Sequence, residues 1–133
     1  GVIPGGNSMG FMTEAELDTK LDFNGPGKVG CLGLGTGAVT VFDDHTSIVD
    51  VLYNICRFFA HESCGQCTPC RVGCQQLLLG IEAIKKGERN REYLDDLKKL
   101  AKTMKLASKC GLGQSVANPF ISIATNFKEE IIY

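Results

Sequence analysis

The spacing of the cysteines is the feature that most restricts what this 133-residue chain can fold into. Four of its seven cysteines lie between positions 64 and 74, in the run Glu62-Ser-Cys-Gly-Gln-Cys-Thr-Pro-Cys-Arg-Val-Gly-Cys74. Thiols this close together cannot form a set of mutually paired disulfides. A metal centre in a reducing compartment fits the pattern better, so the fold is expected to bring these thiols together.

Three of these cysteines, Cys64, Cys67 and Cys70, are separated by two residues each, and Cys110 follows later in the chain. A tight local run completed by one remote cysteine is typical of iron–sulfur clusters. Single zinc ions are more often bound by two separated Cys-x-x-Cys pairs. The four cysteines therefore predict an iron–sulfur centre, and with it electron transfer.

Cys74 competes for the place of the fourth ligand. The run from Cys64 to Cys74 reproduces the local Cys-x2-Cys-x2-Cys-x3-Cys spacing of bacterial ferredoxins. In ferredoxins a proline follows the last cysteine, whereas here Gln75-Gln-Leu-Leu-Leu continues a helical pattern. We therefore favour Cys110 as the fourth ligand and interpret Cys74 as a neighbouring thiol, while ligation by Cys74 stays open.

Two other classes of function use the same thiols. A structural zinc module for assembly would bind one ion through all four cysteines, although the spacing favours it less. A thiol–disulfide oxidoreductase would use Cys64 and Cys67 as its reactive pair, but such a pair does not require Cys70 or Cys110.

From residue 45 onward the chain has the apolar periodicity of α-helices. Helix starts are expected at Thr46 or Ser47, at Thr68-Pro69, at about Asn90 and near Pro119, with a stop at Gly87. The apolar faces are predicted to contain Ile48, Leu52, Ile55 and Phe59; Leu77, Leu78, Ile81 and Ile84; Tyr93, Leu97, Leu100 and Met104; and Phe120, Ala124, Phe127 and Ile131. Four amphipathic helices with short connections predict a mainly α fold, an antiparallel four-helix bundle.

The predicted bundle also explains how the cysteines can meet. In an up-and-down arrangement the first and third connections lie at the same end. The first connection carries Cys64 and Cys67, Cys70 begins the second helix, and the third connection carries Cys110. The topology therefore permits all four thiols to face one centre.

Residues 1–44 are rich in glycine and are expected to form a small α+β segment that precedes the bundle. Thr13 and Glu16 stand in capping-box register, which predicts a short helix over residues 12–18. Residues 38–42 alternate like a strand. Since the segment is too small for a stable sheet domain of its own, we predict that it ends a larger domain, with the boundary between residues 1–44 and 45–133.

Composition argues against two kinds of partner. The basic residues between positions 85 and 109 are not interleaved with aromatic ones and the formal net charge is −1, so nucleic acid is not predicted. We interpret this stretch as a solvated helical surface, and a docking face for an acidic partner subunit is the less favoured alternative. The chain lacks an apolar run of the roughly 20 residues that span a bilayer, and no secretion signal is evident. A cytoplasmic protein without a membrane span is expected.

Several motifs resemble one known family. The run His61-Glu-Ser-Cys-Gly-Gln-Cys-Thr-Pro-Cys-Arg71, with Cys110-Gly-Leu-Gly113 and Pro119-Phe120, resembles the C-terminal part of the flavin-bearing, NADH-oxidising subunit of respiratory complex I. NAD(P)-linked [FeFe]-hydrogenases and NAD-dependent formate dehydrogenases contain the same module. Through Pro4-Gly-Gly and Leu34-Gly-Thr-Gly-Ala38, residues 1–44 resemble the end of its ubiquitin-like (SLBB) domain, and residues 45–133 resemble its four-helix iron–sulfur domain.

The resemblance implies one [4Fe–4S] cluster on Cys64, Cys67, Cys70 and Cys110. In the family this cluster takes single electrons from FMN, after NADH has reduced the flavin, and passes them to clusters of partner subunits. The implied partners are an FMN- and NADH-binding domain or subunit and other iron–sulfur subunits. Such a complex is expected in the cytoplasm, or on the cytoplasmic or matrix side of a membrane.

The chain departs from the family pattern at two points. The domain that binds FMN and NAD(P) has no counterpart in these residues, so we expect an electron relay that does not oxidise NADH alone. Val72 and Cys74 stand where complex I members usually have other residues, which indicates the hydrogenase-type branch. The ferredoxin-like C-terminal extension of that branch is missing from the sequence.

Overall fold

Helices make up most of the structure, a computed structural model that describes residues 1–132. The elements in chain order are β1 (Val2–Ile3), a 3₁₀ helix (Glu14–Glu16), α1 (Gly25–Lys28), β2 (Thr40–Val41), α2 (Ile48–Glu62), α3 (Thr68–Lys85), α4 (Arg91–Ala107), α5 (Gly111–Ser115), α6 (Ala117–Asn126) and α7 (Lys128–Ile131). Helices α2, α3, α4 and α6 pack together, and α5 lies against α3 and α4. The mainly α, bundle-like fold is thereby confirmed. In residues 1–132 no helix is long and apolar enough to cross a membrane.

Two helices begin where they were predicted to, at Ser47, one of the two expected caps, and at Asn90. The side chain of Ser47 accepts a hydrogen bond from the Asp50 N–H at the start of α2. Asn90 does the same for the Tyr93 N–H at the start of α4, at 3.3 Å. These side chains accept from backbone N–H groups that have no partner within the helix. Both positions therefore favour the start of a helix.

The start of α3 differs by one residue from the prediction. Cys67, not Thr68, is the N-cap, so Pro69 occupies the second helical position. Proline is still tolerated there because N–H groups of the first turn have no intrahelical acceptor. The helix ends at Lys85 as expected, and Gly87 has a φ of +74°, the left-handed conformation that commonly closes a helix.

Three predictions for the C-terminal half were wrong in detail. The fourth helix is interrupted at Phe127, whose φ of −121° and ψ of 29° separate α6 from α7. The connection expected to be a loop at Cys110 contains α5. In α4, Tyr93 and Leu100 lie only at the edge of the core. The buried face of α4 follows steps of three and four residues through Leu94, Leu97, Ala101 and Met104.

Two glycines allow α3 and α4 to pack closely. A Cβ on Gly80 would lie 2.7 Å from both methyl carbons of Leu97, and a Cβ on Gly73 would collide with Met104. The two pairs show that the helices run antiparallel, since the earlier glycine faces the later residue of α4. The first turn of α3, with Cys70, therefore lies beside the end of α4.

The N-terminal segment packs on the bundle through α6. The Phe11 N–H donates to Ser122 Oγ, and this hydroxyl donates to the Phe11 carbonyl, both at 2.9 Å. Ile3 and Phe11 belong to the same hydrophobic core as the helices.

The short helix predicted over residues 12–18 is a single 3₁₀ turn, in which the Glu16 carboxylate accepts from the Thr13 N–H at 2.7 Å. The boundary between residues 1–44 and 45–133 stays a prediction.

Candidate metal centre

The connection between α2 and α3 is held in a defined turn. Ser63 ends α2 by donating its N–H to the Phe59 carbonyl at 3.1 Å. Gly65 has a φ of +77°, a conformation that favours glycine. Arg71 reaches back from α3, and its Nη1 donates to the Gly65 carbonyl at 2.6 Å. The turn that carries Cys64 is thereby tied to the first turns of α3.

The four predicted ligands lie on two neighbouring connections. Cys67 is the N-cap of α3 and Cys70 lies in the first turn of this helix, whereas Cys110 is the N-cap of α5. Cys70 is buried, Cys67 is half-buried, and Cys64 and Cys110 are exposed. The candidate centre therefore has one side in the core and one side at the surface.

Two contacts join the connections. The backbone N–H of Lys109, which precedes Cys110, lies close enough to the Cys67 thiol to lower its pKa. A Cβ on Gly113 would lie 2.8 Å from the Cys70 Cβ, so this glycine lets α5 rest directly on Cys70. The segment with Cys110 thus adjoins two cysteines of the run. Within the part of the chain that the structure describes, no three His, Cys, Asp or Glu side chains are arranged to hold a single metal ion.

The thiols differ in how readily they ionise. The Lys109 amide, followed by the Cys70 amide, stabilises the thiolate of Cys67 and lowers the pKa of this thiol. Burial raises the pKa of Cys74 to about 12, and the neighbouring Cys70 acts in the same direction. Burial likewise raises the pKa of Cys56 on α2. Since the thiolate is the form that binds metal, the surroundings of Cys67 favour ligation.

Two serine hydroxyls near Cys70 are absent from the residues predicted for the site. Ser63 Oγ lies 3.3 Å from Cys70 Sγ. Ser108 is 5% exposed, and its Oγ has no hydrogen-bond partner among residues 1–132. This Oγ would lie 2.6 Å from a Cβ on Gly113, the position that also adjoins Cys70. Both serines could have been noticed in the sequence, because each lies within two residues of a predicted ligand.

The donor set fits an iron–sulfur cluster. Cysteine thiolates are the usual ligands of such clusters, and N–H and O–H groups near the sulfur atoms stabilise the negative charge. The Lys109 amide and the unpaired, buried Ser108 hydroxyl of the described chain are groups of this kind. The guanidinium of Arg71 and the N-terminus of the 18-residue α3 add positive potential. The residues present are therefore compatible with an anionic cluster.

Comparison with protein families identifies this arrangement. Residues 50–133 match the family model described as the NADH-ubiquinone oxidoreductase-F iron-sulfur binding region. The chain belongs to this family. The resemblance stated from the cysteine run is thereby confirmed, and so is the [4Fe–4S] cluster as the cofactor of this region.

Relatives match almost the whole chain. The NADH-quinone oxidoreductase F subunit of Streptomyces coelicolor is 39% identical over 127 residues, which are 96% of this chain and 28% of the relative. The corresponding F subunit of Mycobacterium tuberculosis is 36% identical over 129 residues, or 97% and 29% of the two chains. The structure of an NAD+-reducing [NiFe]-hydrogenase in the H2-reduced state matches with a TM-score of 0.85 at 36% identity, covering 98% of this chain and 22% of that chain. The chain spans less than a third of the length of these relatives.

Proposed function

We propose that this chain is the [4Fe–4S] electron-transfer module of an NAD(P)H-dependent flavoprotein oxidoreductase complex. The ligands in this proposal are Cys64, Cys67, Cys70 and Cys110. The observation that supports it is the close packing of α5 on the first turn of α3, where a Cβ on Gly113 would lie 2.8 Å from the Cys70 Cβ, because Cys110 is the N-cap of α5. Cys74 lies in the core behind Cys70, one helical turn further from the connection that carries Cys64 and Cys67.

The surroundings of the thiols support a relay rather than bond-making catalysis. A [4Fe–4S] cluster, when bound, supplies one-electron redox chemistry. Cys70 and Ser108 close the site on its inner side, and Cys64 and Cys110 lie at the surface. An electron can therefore enter or leave through the exposed side when another protein surface docks there.

The wider assembly follows from the same proposal. FMN and NAD(P) are bound by a domain or subunit other than the described bundle, and further iron–sulfur subunits receive the electrons. The names of the relatives, an NADH-quinone oxidoreductase subunit and an NAD+-reducing hydrogenase, support a complex of this kind. Residues 1–44 then end an SLBB-like domain and residues 45–133 form the cluster domain. We place the complex in the cytoplasm, or on the cytoplasmic or matrix side of a membrane.

The relay proposal predicts how the purified chain responds to reductants under anaerobic conditions. Dithionite or chemically reduced FMN is expected to transfer about one electron per cluster and to produce a paramagnetic signal. NADH alone is expected to leave the cluster oxidised, because the nicotinamide gives up a hydride and requires a flavin to divide the electron pair. Absorbance titration with EPR spectroscopy measures both. Rapid reduction by NADH without flavin would argue against the proposal, as would a reduced chain without a signal.

A further inference from the structure

Cys74 is a buried thiol that the proposed ligation does not use. It lies on α3 one turn after Cys70 and is 1% exposed. Its Sγ is 3.9 Å from Cys70 Sγ, a distance at which one thiol donates a hydrogen bond to the other. Cys56, also 1% exposed, lies on α2, which packs against α3. Cys74 is thus the buried thiol that bonds to a proposed ligand, and Cys56 is an equally buried thiol on the neighbouring helix.

The direction of the hydrogen bond follows from ligation. A cysteine bound to iron has lost its proton, so Cys70 can only accept and Cys74 must donate. Ser63 approaches the same sulfur, with its Oγ 3.3 Å from Cys70 Sγ. This oxygen accepts the Gly65 N–H at 3.4 Å, which leaves its own proton free for the sulfur. The Cys70 sulfur therefore has two donors, one from the core and one from the loop.

We propose that Cys74 and Ser63 set the reduction potential of the cluster by donating hydrogen bonds to the Cys70 sulfur. Reduction adds negative charge, part of which resides on the ligand sulfurs, and donors to these sulfurs stabilise the reduced form. Both residues act through Cys70 and touch no iron. The inference rests on the proposed function, since it requires Cys70 to be a ligand.

Reduction potentials of the anaerobically purified chain and its variants test the proposal, with the EPR signal followed during a redox titration. Cys74→Ala and Ser63→Ala are each expected to shift the potential to a more negative value, and the double variant is expected to shift it further. Cys56→Ala is the matched control, because it removes a thiol of the same depth from the neighbouring helix α2. We expect it to keep the wild-type potential. Ser63→Ala alters a loop position and so tests the proposal independently of core packing.

A spectroscopic measurement separates hydrogen bonding from packing. ENDOR spectra of the reduced cluster in H2O and in D2O detect exchangeable protons close to the ligand sulfurs. One such coupling is expected to be missing in Cys74→Ala and to be present in Cys56→Ala. The iron content of both variants is expected to equal that of the wild type.

Unchanged potentials in Cys74→Ala and Ser63→Ala would overturn the proposal, and so would an equal shift in Cys56→Ala. Loss of cluster iron in Cys74→Ala would overturn it as well, because Cys74 would then be a ligand. A separate variant, Cys70→Ser, tests whether Cys70 is a ligand at all. If it is not, this variant retains the full iron and sulfide content of the wild type, and the proposed ligand set fails.

Discussion

Cys110→Ser is expected to lose most of its bound iron and sulfide or to show an altered EPR signal, whereas Cys74→Ser is expected to leave both nearly unchanged. Cys110 is the N-cap of α5, which rests on Cys70 through Gly113, and Cys74 lies in the core behind Cys70. A serine hydroxyl is a poor substitute for the soft thiolate that these clusters take. Iron and sulfide determination with EPR spectroscopy of the reduced variants measures the difference.

The two serine variants control each other, because each exchanges one sulfur atom for oxygen. Cys110 is exposed, so its replacement removes little packing, whereas Cys74→Ser places a hydroxyl in an apolar site. A cluster that depended only on packing would therefore be lost first in Cys74→Ser. Loss in Cys74→Ser together with retention in Cys110→Ser would instead favour a ferredoxin-like ligand set, from Cys64 to Cys74.

Gly113→Ala is expected to destabilise the chain by about 1–3 kcal/mol and to lower its cluster content, as is typical of added volume in a packed site. The new Cβ would lie 2.6 Å from Ser108 Oγ and 2.8 Å from Cys70 Cβ, both shorter than van der Waals contact. Ser108 and Cys70 are both buried, so their side chains have little room to move aside. We therefore expect α5, and Cys110 with it, to move away from Cys70.

Gly111→Ala is the matched control for this substitution. It adds the same methyl group to the same short helix, at a position where no described atom outside its local backbone lies within 4 Å of the new Cβ. Its stability is expected to stay within about 0.5 kcal/mol of the wild type. Urea unfolding of the purified variants measures stability, and iron analysis measures the site. Equal results for the two alanine variants would be incompatible with the described packing of α5 on Cys70.

The bundle could be predicted because its core faces follow the helical period. The helix starts at Ser47 and Asn90 were recognisable, since these side chains bond to their own helices and depend on no distant contact. The break at Phe127 was not predictable in this way, because the apolar period continues through it from α6 to α7. Local signals thus located helix starts better than an interruption between two helices.

The candidate site was predictable only in its local part. Cys64, Cys67 and Cys70 lie within one short stretch of sequence, so their spacing is visible directly. The approach of Lys109 to Cys67 instead depends on how α3 and α4 pack. The contact between Ser63 Oγ and Cys70 Sγ is local, but it depends on the turn that Gly65 and Arg71 form, and the cysteine spacing does not specify this turn. The assignment of all four ligands stays a prediction.

The central claim is that four thiolates of this chain hold one [4Fe–4S] cluster. The most direct test is determination of iron, acid-labile sulfide and zinc in the anaerobically purified chain, together with its absorbance spectrum. The account predicts a coloured protein with about four irons and four sulfides per chain, whose visible absorbance decreases on reduction. A colourless protein with about one zinc and no sulfide would contradict it and would make the same cysteines a structural zinc site.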